Sequence, residues 1–175
     1  MFVELSTGIT LYPGTFTAVI APRKFIIASL GNNCEIQRFP SFFVCGSVSC
    51  LLSIISCAAR HFETCISMSA AQFLERVRDA HYSIIILEHD PSLFDGAEQM
   101  SAPISAALRD LGNEALVILF AEVKDPSFFA LARYADRFIE LIPPDTQPDR
   151  HTYSSTRVCC GNASLHCAQT LLEVS

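Results

Sequence analysis

A chain of 175 residues, half of them apolar and only 17% charged, carries enough hydrocarbon for one domain with a substantial core and is not a disordered segment. Its formal charge is −6, and it has no basic run beyond Arg23-Lys24. That counts against nucleic-acid binding, which needs clustered cations to neutralise phosphates.

The opening MFVELSTGIT lacks the basic and continuous apolar regions of a signal peptide. The longest weakly polar run, 48–59, is shorter than the ~20 residues that cross a bilayer. The expectation is a soluble, cytoplasmic protein with a single domain over 1–175.

In chain order, 15–21 (TFTAVIA) reads as a strand, rich in β-branched and aromatic residues. A helix follows from about Lys24, with Gly31 near its end. The apolar run 40–47, bounded by Pro and Gly, is a second strand. Over 48–62 the apolar residues recur at helical spacing: Val48, Leu51, Leu52, Ile55 and Ala59. A short strand is expected at 63–67. Ser69 and Gln72 form a capping box that opens a helix carrying Phe73, Val77 and Ala80 on one stripe.

The stretch 82–90 (YSIIILEHD) is the clearest strand. Ile84, Ile85, Ile86 and Leu87 run without alternation, as in a parallel strand covered on both faces. Met100, Ile104, Ala107, Leu108 and Leu111 then mark a helix closed by Gly112. The stretch 115–121 (ALVILFA) is a second wholly apolar strand. Asp125-Pro126 caps and opens a helix to about 135, and 137–142 is another strand. After the Pro-rich loop 143–154, the turn at Gly161-Asn162 predicts a terminal hairpin, although spacing also allows a helix in the last half of the tail. Strands alternating with helices, and central strands apolar throughout, predict an α/β sheet covered on both faces.

Eight cysteines and no Cys-x-x-Cys pair do not make a disulfide scaffold or a zinc knuckle. Most are read as small buried hydrophobes. Cys159, Cys160, His166 and Cys167 are the alternative, a soft-ligand metal cluster or sensor.

Taken in order, LSTGITLYPGTFTAVIAP, YSIIILEHD, ALVILFAEV and LARYADRFIEL resemble the core of the RecA-like P-loop ATPases, in the branch of the KaiC-type and archaeal RadA-type proteins. The resemblance spans most of 1–142. It implies a three-layer sandwich with a mostly parallel sheet, 15–21, 82–89 and 115–121 at its centre, and a C-terminal hairpin. It also implies a degenerate, archaeal-type member that lacks the Walker A motif.

A working Walker A loop needs glycines to wrap phosphates with backbone N–H groups, Lys to neutralise charge and Ser/Thr to ligate Mg²⁺. The corresponding positions here are Ala21, Pro22, Arg23, Lys24, Phe25, Ile26, Ile27 and Ala28. Both glycines, the Lys and the hydroxyl are missing at their places, and Pro22 removes an N–H. Arg23 and Lys24 are either substitutes or solvated cations. Glu88, His89 and Asp90 occupy the Walker B-like position, with His89 a pH-sensitive or metal-binding candidate. Gly46 and Ser47 stand where the resemblance places the catalytic carboxylate, and Glu122 where it places a polar sensing residue.

The function this implies is a non-catalytic pseudo-ATPase, an interaction or regulatory module with a protein partner or a second copy of itself and no cofactor. Phe128, Phe129 and the loop 92–100 are its candidate contact surface. An atypical ATP-binding protein using Lys24, Glu88 and ATP with Mg²⁺ is the alternative.

Overall fold

The computed structural model describes residues 1–5, 8–31, 33–46, 49, 62–141, 156–160 and 168–170. A small antiparallel hairpin, β1 (Val3–Leu5) and β2 (Ile9–Leu11), precedes the main sheet. Gly14, at φ 78°, turns the chain out of the hairpin in a left-handed conformation that a side chain disfavours. Its N–H then bonds to the Ala115 carbonyl at 3.1 Å and starts the next strand in register.

The main sheet holds β3 (Thr15–Ile20), β4 (Ser41–Cys45), β5 (Phe62–Ile66), β6 (Ile84–Glu88), β7 (Leu116–Ala121), β8 (Arg137–Leu141), β9 (Thr156–Cys160) and β10 (Ala168–Thr170). Their order is β10-β9-β8-β3-β7-β6-β4-β5. The strands from β8 to β5 are parallel to one another. β9 and β10 add an antiparallel terminal hairpin. The expected central trio, β3, β7 and β6, are neighbours in the middle. Ile84, Ile85, Ile86 and Leu87 are each fully buried, which stabilises the fold by about 1.5–3 kcal/mol per side chain.

The sheet is the middle of three layers. On one face lie the hairpin, α1 (Arg23–Gly31) and α2 (Cys34–Arg38). Their Leu5, Leu11, Ile26, Leu30 and Ile36 pack on Val19, Ile86, Ile118 and Ile139. On the other face lie α3 (Ala70–Arg78), α4 (Ser101–Gly112) and α5 (Pro126–Leu131). Phe73, Val77, Ile104, Leu108 and Phe128 there cover Phe16, Ala18, Ile85 and Val117. Two bonds tie the hairpin down: Arg137 donates to the Thr10 carbonyl at 2.9 Å and Asn33 to the Glu4 carbonyl at 3.2 Å.

Several local expectations are refined. The Ser69 hydroxyl accepts from Gln72 N–H at 3.3 Å, but the Gln72 side chain reaches back to Met68 N–H instead of the cap residue itself. Gly112 does not close α4 from outside. It ends the helix from within, where an added Cβ would stand 3.0 Å from the Cβ and the N of Phe16. The helix after Asp125 is shorter than expected, and a 3-10 turn, Ala132–Tyr134, completes the segment. The expected helix over 48–62, the Pro-rich loop 143–154 and the turn at Gly161-Asn162 fall wholly or mostly outside the described residues, and Phe62, at the end of that helix, instead opens β5.

Candidate functional site

Parallel strands bring their carboxyl ends to one edge. β3 and β7 are neighbours, yet β3 continues into α1 on the hairpin face and β7 into α5 on the opposite face. A crevice between adjacent strands that depart to opposite sides is where open α/β sheets bind ligands. Residues 21–28, Glu88, His89, Asp90 and Glu122 all lie along this edge.

The segment 21–28 is not a loop. β3 stops at Ile20 and α1 starts at Arg23, so only Ala21 and Pro22 intervene. Ala21 N–H stays in the sheet through a 3.0 Å bond to the Ala121 carbonyl. The N–H groups of Phe25 and Ile26 close the first helical turn on the Pro22 carbonyl at 2.8 and 3.3 Å. Ile26 is 2% exposed, and Phe25 and Ile27 are half-buried against the same core cluster. The Phe25 and Ile26 amides are thus spent on the helix, and the side chains of Phe25, Ile26 and Ile27 on the hairpin-side core.

Charged side chains pair across this edge. Arg23 Nε lies 3.7 Å from Glu122 Oε1 and links the ends of β3 and β7. Lys124 Nζ lies 2.6 Å from Glu140 Oε1. That second pair runs from the end of β7 to β8, and β3 lies between those strands. Lys24 is exposed.

Glu88, the last residue of β6, is hydrogen-bonded to the Ser49 hydroxyl. Burial pushes its carboxyl above the usual range, opposed by the Ser49 bond and Arg23 and assisted by the charges of Glu122 and Asp90. Asp90 caps the 3-10 turn Pro91–Leu93, accepting from Ser92 N–H at 3.0 Å and the Ser92 hydroxyl at 2.7 Å. Its side chain lies against Gly46, where an added Cβ would fall 1.9 Å from Asp90 Oδ2.

His89 turns inward. Its side chain is 1% exposed, between the rings of Phe94 and Phe128 at 5.8 and 5.6 Å. Nε2 donates to Asp125 Oδ2 at 2.8 Å and lies 3.1 Å from Ser127 Oγ. Nδ1 is buried with no partner among the described residues. Burial lowers the imidazole's affinity for a proton, against the pull of Asp125 and Asp90. Asp125 is the N-cap of α5 and accepts from the N–H groups of Ser127 and Phe128 at 2.9 and 3.1 Å. Burial raises its carboxyl, but the Ser127, Phe128 and His89 contacts outweigh it and hold it below the usual range.

No protein-family model matches the chain. It is similar to an uncharacterized protein of Archaeoglobus fulgidus, 31% identical over 127 residues, which make up 72% of this chain. The match spans 64% of that relative's length.

These residues do not fit a nucleotide with its magnesium. Only Ala21 and Pro22 link β3 to α1, too short a link to wrap a phosphate, and Glu88 and Asp90 are engaged by hydroxyls of the chain. Among the described residues no cluster of three or more His, Cys, Asp or Glu could hold a metal ion. Cys159 and Cys160 are in β9, paired with Phe138 and Arg137, whereas His166 and Cys167 lie outside the described residues. Cys45 is buried in the hairpin-side cluster and Cys65 packs against the opposite one, so adjacent strands carry them to different faces. Burial drives the Cys45 thiol up to about 11, which makes it unreactive. Cys34 is exposed, unlike the expected buried cysteines.

The expected contact surface is corrected at Phe128, which is fully buried beneath α5, while Phe129 is 47% exposed. Within 92–100, Leu93 and Phe94 are also buried. Sequence reading missed Asp125 and Ser127 as partners of His89. The Asp-Pro-Ser signature announces a helix cap, and nothing local announces a contact 36 residues away.

Proposed function

We propose that this chain is a non-catalytic RecA-like module that works by binding protein, a partner or a second copy, and not by hydrolysing nucleotide. The observation that carries the reading is the passage from β3 to α1 through Ala21 and Pro22 alone, with Ile26 buried below it. On this reading a nucleotide site is expected between this strand and the helix that follows it, and two residues stand there instead of an anion-binding loop.

Contact at this edge is supported by its exposed apolar side chains. Val123, after β7, is 62% exposed, and Ile66 and Met68, at the end of β5, are 52% and 69% exposed. Such side chains near a pairable charged rim suit a protein surface. The acidic balance of the chain disfavours nucleic acid as the partner. Among the described residues no helix is long and apolar enough to cross a membrane.

Sedimentation velocity tests the proposal. The wild type, alone or with a partner captured from its source cells, sediments as a complex, and Val123→Asp with Met68→Asp returns it to the monomer without lowering the melting temperature. A wild type that stays monomeric with every captured candidate, or a complex untouched by both substitutions, contradicts it.

A further inference from the structure

The mechanism proposed above makes no use of the buried contact between the end of β6 and the start of α5. We propose that His89 is a proton-operated latch that holds the N-terminus of α5 against the sheet and releases it on acidification. The geometry has three parts. The strand end is fixed, because His89 N–H bonds to the Phe120 carbonyl at 2.8 Å. The helix end is held by Asp125, which receives the imidazole Nε2–H at 2.8 Å while capping the first turn of α5. The ring fills the space between Phe94 and Phe128.

Nε2 is committed to Asp125, so the neutral ring leaves Nδ1 as a bare acceptor. That atom is buried without a partner among the described residues. A second proton must go to Nδ1, where it creates a buried donor with no acceptor among the described residues and a charge between two aromatic rings. Among the described residues the charged groups facing the ring are Asp125 from α5 and Asp90 from its own strand end, and both favour the proton. The turn after β6 contributes the ring of Phe94 and α5 that of Phe128. Burial outweighs the two carboxylates, so protonation is met by opening the contact to water. The sign follows: a histidine that resists protonation in the closed form supports closure fully above its ordinary value of 6.5 and progressively less below it. Opening would free the Val123–Lys124 link and α5, with its exposed Phe129, to move relative to the sheet.

Hydrogen exchange between about pH 7.5 and about pH 5, the range in which histidine switches, tests this as protection factors corrected for intrinsic rates. Amides of α5 from Phe129 onward should lose protection by up to about tenfold per pH unit, the limit for one linked proton, while β7 amides hold theirs. In His89→Gln, whose amide donates to Asp125 without titrating, α5 protection should not change with pH. Protection that is flat or rises in the wild type, or falls equally in His89→Gln, overturns the latch. If that variant does not fold, the wild-type imidazole titration followed by NMR decides: a midpoint below 6.5 is expected, and one at or above it overturns the proposal.

Discussion

At the scale of single residues, the carboxyl edge depends on close approaches that leave no slack. Gly46 has no room for a Cβ because the Asp90 side chain is already there, with its Cβ 2.7 Å from the added atom. The nearby atoms include the root of the side chain, so rotating Asp90 away does not relieve the clash. Gly46→Ala should therefore destabilise the protein by about 1–3 kcal/mol, as overpacking does, and adding Asp90→Gly should recover part of that in a double-mutant cycle of thermal melts. Asp125 is a second such residue. Its Oδ1 caps α5 and its Oδ2 receives His89. Asp125→Ala removes the cap and orphans a buried donor, with an expected cost of about 1–3 kcal/mol. The Asp125 carboxyl is held below its ordinary value of 3.8. Its contribution is complete above that value and fades as pH falls through the folded one. Acid unfolding curves should show the Asp125→Ala penalty shrinking in that window and constant near neutrality.

At the scale of elements, α1 decides what the β3 end can be. Ile26 is 2% exposed among core side chains and Phe25 is half-buried beside it. Ile26→Ala should cost about 2–5 kcal/mol, and Phe25→Asp should lower the melting temperature as well as any association. Rebuilding a Walker A loop by Ile26→Gly, Ile27→Lys and Ala28→Thr should lower the melting temperature too, because it removes a core anchor and puts glycine inside a helix. Calorimetric melts of these variants check all three. Wild-type melting for Phe25→Asp, with association lost, would place that ring at an interface instead.

The elements were largely legible because their signals are local. The unbroken Ile84–Leu87 run marks a strand covered on both faces, and Asp125-Pro126 marks a helix start. The site was less legible because its contacts are not local. The helix expected from about Lys24 is there and starts one residue earlier, at Arg23, but its local spacing does not say that Ile26 is buried against the distant hairpin. Phe128 and Phe129 are neighbours of one kind in sequence, and only the direction of α5 sends one inward and leaves the other exposed. The inward turn of His89 depends on Asp125 and Phe94 reaching it from separate elements, which no spacing rule encodes.

At the scale of the whole molecule, a parallel sheet covered on both faces offers a ligand crevice at the β3–β7 edge, and this chain closes it with a short link, a buried isoleucine and two ion pairs. Those pairs are partly exposed, and such pairs contribute only about 0–1 kcal/mol each. The closure therefore rests on the backbone path and the packing of α1, and raising the salt concentration should not open it. The claim that nucleotide chemistry is absent is tested most directly by calorimetric titration of the unmodified protein with ATP and Mg²⁺. The account predicts no saturable heat up to millimolar nucleotide. Saturable binding that weakens in Lys24→Ala or Glu88→Gln would contradict it and make the edge an atypical nucleotide site.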